Sequence, residues 1–240
     1  MKRSSLRNLS VLIGLLVFAI GLGYSTSGAA LAQADETLSP LPLPSTLPLD
    51  EYEAVLFDFL ESKAYQEMGW AEDKRVRDTG AYIDGAYYGT HPAVRIFYSP
   101  EVYAWLKNDR SGAIPDGAMI IKEMYAPPAA QYADLTDDEI NAQLSMWTYI
   151  IRDSTASKDG WFWGYHGTGE AVDSNAYPFN YPDAGFGQYC VRCHASAANE
   201  FTFSARRNIA GEPGSAVSYR VDNSWINPPA AQTPSGHHDT

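Results

Sequence analysis

Cysteine is scarce in this chain: 240 residues hold two, Cys190 and Cys193. A fold stapled by several disulfides is therefore excluded. No second Cys or His pair stands at metal-ligand spacing, so a four-ligand zinc site would be two donors short. Basic clusters are missing as well. Asp and Glu number 29 against 17 Lys and Arg, for a net charge of −12. Nothing in that balance offers a footprint for nucleic acid or an anionic membrane. Nor does any apolar run reach the ~20 residues of a membrane span.

The one sustained apolar run, Val11 to Gly21, follows Lys2, Arg3 and Arg7 and precedes small residues ending in Ala30-Leu31-Ala32 and Ala32-Gln33-Ala34. That order is the order of a secretory signal peptide. Residues 1–34 are expected to be removed by cleavage after Ala34, leaving 206 residues with a charge of −15 once Lys2, Arg3 and Arg7 are gone. The expected location is the periplasm or another exported compartment, with no membrane-spanning segment after processing. A chain of this length can bury one substantial core. Its acidic surface confers solubility and could steer a basic redox partner protein.

The two cysteines fall in Cys190-Val191-Arg192-Cys193-His194. A Cys-x-x-Cys-His run is the attachment signature of a c-type haem. Two thiols three positions apart can each form a thioether to a different vinyl group of one porphyrin. The adjacent imidazole of His194 then lies under the ring as proximal iron ligand. A small disulfide, half a zinc site or a thioredoxin-like pair would use the same thiols, but none of these needs the histidine. The expected cofactor is one covalent haem c with its iron.

Along the chain, residues 35–48 carry Pro40, Pro42, Pro44 and Pro48 and read as an extended linker. A single domain is expected over 49–226, and 227–240, with its closing His237-His238, as a flexible tail. Leu49 to Met68 has helical spacing, with Val55, Leu56, Phe59 and Leu60 on the apolar side. Residues 70–90, a charged run followed by interleaved Tyr and Gly, read as a surface loop. Ala93 to Tyr98 alternates as a strand, and Ser99-Pro100 starts a short helix. Ala118 to Tyr125 is a second strand. There Met119, Ile121 and Glu123 share one face, and Ile120, Lys122 and Met124 the other. Thr136 to Glu139 has the form of a capping box. Met146 to Arg152 and Gly160 to Tyr165 are expected to pair as a hairpin across Asp159-Gly160. After His194, a short helix is expected over Ala195 to Glu200. Side chains able to close the iron's second face are Met119, Met124, Met146, His91 and His166.

Three segments occur in a recognisable order: Arg95-Ile96-Phe97-Tyr98-Ser99-Pro100-Glu101-Val102-Tyr103-Ala104-Trp105, then Pro115-Asp116-Gly117-Ala118-Met119-Ile120-Ile121-Lys122-Glu123, then the late Cys-x-x-Cys-His. Together they resemble the cytochrome P-460 family, which includes the cytochromes c′-beta; the match covers about 93–203. The resemblance implies an α+β fold, an antiparallel sheet with helices packed against it and haem held against the sheet. It implies iron bound by His194 with the other face free of a strong protein ligand. It also implies that Lys122, at the position of a lysine cross-linked to the porphyrin in catalytic members, is a candidate for such a bond. Those members oxidise hydroxylamine or related nitrogen species, while the c′-beta members bind nitric oxide and other gases. The expected function is binding or redox transformation of hydroxylamine, nitric oxide or peroxide at an open iron site. The alternatives are a six-coordinate electron-transfer cytochrome and a non-catalytic gas-binding one. Expected partners are a small or gaseous ligand, a redox partner protein and a second copy of the chain as a homodimer.

Overall fold

Alternating apolar strands in the middle of the chain account for the architecture, because each has two apolar faces to bury. The computed structural model describes residues 39–80, 82–83, 86–87, 91–155, 159–167, 184–185, 188–197 and 199–217. The expected signal peptide, the tail with His237 and His238, and most of the loop before the Cys-x-x-Cys-His run lie outside the described residues. The chain divides at Glu36–Thr37, and every described residue belongs to the second unit.

In chain order the elements are α1 (Leu49–Glu61), α2 (Ala64–Glu67), β1 (Ala71–Glu72), β2 (Tyr82–Ile83), β3 (Ala86–Tyr87), β4 (Ala93–Tyr98), α3 (Pro100–Lys107), β5 (Met119–Tyr125), α4 (Asp137–Asn141), β6 (Met146–Arg152), β7 (Trp161–Gly167), β8 (Ala184–Gly185) and α5 (Gln188–His194). Six strands form one sheet in the order β1-β4-β5-β6-β7-β8, and every pairing in it is antiparallel. β2 and β3 form a separate hairpin. The α+β expectation holds.

Both sheet faces are buried, as two cores. On the first face Phe97, Met119, Ile121, Tyr149, Ile151 and Phe162 pack against Tyr52, Leu56, Phe59 and Leu60 of α1 and Tyr65 of α2. On the second, Val94, Ile96, Ile120, Met124, Ile150, Trp161 and Trp163 meet Val102, Trp105 and Leu106 of α3, with Cys190 and Val191 of α5 beside them. Strand alternation sorts the residues, since neighbours along a strand point to opposite faces. Val55, expected on the apolar side of α1, is 40% exposed, and Tyr52 takes its place in the core.

Helix boundaries follow local chemistry. α1 breaks at Lys63, left-handed at φ 53°. Thr136 and Glu139 form the expected capping box at the start of α4. Where Tyr149 of β6 pairs with Gly164 of β7, a Cβ on Gly164 would meet the Tyr149 Oη at 2.5 Å and Cε2 at 2.6 Å. The missing side chain makes room for that ring. Gly164→Ala is expected to cost about 1–3 kcal/mol by overpacking, read as a lower urea midpoint.

Three segments differ from expectation. Residues 39–48 are docked rather than extended: Pro44–Thr46 forms a 3-10 turn, and the Ser45 amide donates to Asp153 at 2.8 Å. Residues 71–77 are not all surface: Lys74 and Arg75 are exposed, but Ala71–Glu72 form β1 and Val76 is buried. Asp73 is buried and accepts from Arg77 Nε at 2.9 Å and from the Tyr98 hydroxyl at 3.0 Å. The Cys-x-x-Cys-His run is itself helical, and the chain turns after His194 instead of starting a new helix; Glu200 and Phe201 are both left-handed.

Candidate functional site

β5 carries the site's division of labour. Lys122 alternates with Ile120 and Met124 and so points to the second face of the sheet, the face that α5 packs beside. Glu123 points to the first face. There it is fully buried and accepts from the Tyr65 hydroxyl at 2.6 Å, Gln66 Nε2 at 2.6 Å, Arg95 Nε at 2.9 Å and the Tyr125 hydroxyl at 2.5 Å. Arg95 continues to Asp137 and Asn141 on α4. This buried ionic cluster ties α2 and α4 to the back of the sheet. Adjacent Lys122 and Glu123 therefore serve different compartments.

On α5, Cys190 and Cys193 are three apart on one helix and are not bridged to each other. Burial pushes the Cys190 thiol up to about 11, against the pull of nearby Lys122. The helix ends at His194, whose Nδ1 lies 2.6 Å from the Phe201 carbonyl oxygen. A carbonyl only accepts, so Nδ1 carries the proton and Nε2 keeps its lone pair. Burial, with Lys122 adding to it, pushes the His194 imidazole down to about 3, so the ring stays neutral. Trp163 packs edge-on to it at 4.8 Å and Phe203 at 5.2 Å.

Burial also pushes the Lys122 ammonium down to about 8, helped by Arg77 and opposed by Cys190 and Asp73. The Asp73–Arg77–Tyr98 group thus borders the same compartment. Burial, then Lys122 and His194, hold His91 well below the usual imidazole range. Directly across the sheet from Lys122 is Thr148.

Of the side chains considered for the iron's second face, Met119 is in the first core. His166 faces the same side: it stacks on Phe57 at 3.9 Å and on Trp147 at 5.7 Å, and its Nε2 lies 2.8 Å from Glu61 of α1. The sheet separates both from α5. His166, suited to the site by its Trp-rich neighbours in sequence, is on the wrong parity of β7. Met124 and Met146 belong to the second face.

The donor set fits a haem. Two unbridged thiols on one helix, an imidazole with its second nitrogen already engaged and a wall of Trp163, Ile150, Ile120 and Met124 are what a thioether-anchored porphyrin requires. Among the described residues no group of three His, Cys, Asp or Glu able to hold a metal occurs. The proton-fixing partner was not legible in the sequence, because it is a main-chain oxygen and carries no residue type. Asp73 and Arg77 were hidden in a run of seven mostly charged residues that reads as solvated.

The family model for cytochrome P460 matches residues 60–204. That span runs from the end of α1 through the turn after His194. No curated protein matches the chain.

Proposed function

Since the chain belongs to the cytochrome P460 family, and so is a haem and iron protein, we propose that it is an exported c-type mono-haem protein that binds or redox-transforms hydroxylamine, nitric oxide or peroxide at an open iron face. The observation that carries this reading is the 2.6 Å contact between His194 Nδ1 and the Phe201 carbonyl. It prepares one nitrogen, and only one, for a metal. When bound, haem iron supplies a coordination position and an electron store at which a small ligand can be held and oxidised or reduced.

The chain's own residues have separable tasks in this reading. Cys190 and Cys193 anchor the ring. Each cysteine would hold the haem through its sulfur as a thioether. His194 holds iron through Nε2. The apolar side chains of the second face exclude water from the ring. Lys122, with its ammonium loosened by burial, would flank the bound haem from β5.

A competing reading, a six-coordinate electron carrier, is favoured by one observation: Met124 is buried on the same face as Lys122. Spectra of the purified mature protein separate the two. Intact mass should show one covalent haem, and the ferrous spectrum should shift on adding carbon monoxide or nitric oxide. A low-spin ferrous spectrum unmoved by carbon monoxide would replace the open-site reading with the electron carrier. Lys122→Ala should abolish turnover of hydroxylamine while gas binding persists. Unchanged absorption and turnover in that variant would remove Lys122 from the site.

A further inference from the structure

The carbonyl that meets His194 is presented by a backbone conformation the local sequence does not favour. Glu200 and Phe201 sit at φ 51° and 54°, in the left-handed region that side chains other than glycine rarely adopt in succession. Such a turn persists only when its surroundings hold it. Arg110 does so. Its Nη2 donates to the Asn199 carbonyl at 3.2 Å, the Thr202 carbonyl at 2.8 Å and the Thr202 hydroxyl at 3.0 Å. Asn199 Nδ2 returns a bond to the Arg110 carbonyl at 3.5 Å.

One guanidinium therefore spans both ends of a four-residue turn. Its reach depends on how α3 finishes: Asp109 and Arg110 are themselves left-handed, at φ 52° and 60°, and the guanidinium lies over the Trp105 ring at 5.0 Å. From the sheet, Arg152 pairs with Glu200 at 3.2 Å. The turn is thus braced from α3 and from β6, and its Phe201 carbonyl has little freedom to leave His194.

We propose that Arg110 is a positioning residue for the iron ligand: by closing the 199–202 turn it aims the Phe201 carbonyl at His194 Nδ1 and so sets the donor strength of Nε2. This rests on His194 being the ligand of a bound haem. A proton shared firmly with a carbonyl leaves more electron density on Nε2, which favours ferric over ferrous iron. Loosening the turn raises the reduction potential and weakens the iron–nitrogen bond.

Arg110→Lys and Arg110→Gln test this in the mature holoprotein, by spectroelectrochemical titration and by the iron–histidine stretching mode of the ferrous Raman spectrum. Lysine keeps the charge, but its shorter side chain stops short of the position of Nη2, the one nitrogen that meets both carbonyls. In both variants the ferrous-to-ferric ratio at fixed poise should rise by roughly tenfold, ~59 mV for a one-electron couple, and the stretching mode should fall. Charge loss alone would move the Gln variant the other way, because removing a cation favours ferric iron. An unchanged or lowered potential in Arg110→Lys, with the mode unmoved, overturns the proposal. If neither variant accumulates as folded holoprotein, Thr202→Val decides on the same readouts. It removes one of the three acceptors and should shift both measurements in the same direction by less; no shift overturns the proposal. A wild-type protein without covalent haem would instead sink the reading of His194, a result seen before any variant is made.

Discussion

Glu123→Leu is expected to lower the unfolding free energy by ~3–5 kcal/mol, because it removes the buried carboxylate paired with the Arg95 guanidinium and leaves it only the exposed Asp137. Glu123 is fully buried and Arg95 is 4% exposed, so water cannot replace the lost carboxylate. The Tyr65 and Tyr125 hydroxyls and Gln66 lose their acceptor at the same time, and each unmet buried donor adds to the cost. Urea denaturation of the holoprotein reads the effect. The double variant Arg95→Met/Glu123→Leu should recover much of the loss, since removing both partners of a buried pair leaves no isolated charge. A single variant within ~0.5 kcal/mol of wild type, the range of ordinary surface substitutions, would mean that this cluster does not hold α2 and α4 to the sheet.

The second large effect is all-or-none. Cys190→Ser/Cys193→Ser removes both sulfurs and should leave no haem covalently attached through α5. Intact mass then falls to that of the polypeptide, and the colour is extracted by acid acetone. Either single variant keeps one thioether and should still carry haem, though less of it. The double variant also tests Lys122. Haem retained through denaturation, and recovered on the Lys122 peptide after digestion, would place a covalent bond there. Haem retained on any other peptide would contradict the assignment of the two cysteines.

These two variants probe opposite sides of the same sheet, and adjacent residues of β5 differ in effect for the same reason. Lys122 was legible as an exception on an apolar face. Glu123 was legible as pointing away from it. What the sequence did not reveal is the partner set of Glu123, contributed by α2, β4 and its own strand from positions up to 58 residues away. The same distance hides Arg110, which acts on a turn 89 to 92 residues later. His166 failed for a different reason. Its neighbours in sequence are aromatic, but parity along β7 turns it to the first face, against Phe57 and Trp147.

The residue pattern alone determined the strands from Ala93 to Tyr98 and Met146 to Arg152, the capping box at Thr136, the pair of thiols and the histidine beside them. Each is a local matter of spacing, where one or two turns of chain carry all the information. Only the tertiary structure decided that Asp73 and Arg77 are interior, that residues 39–48 lie against the domain, and that His194 gives its proton to a backbone carbonyl. Those outcomes depend on which surfaces meet across the sheet. A charged or main-chain group goes inside when its partner is already waiting there, and nothing in its immediate neighbours announces that partner.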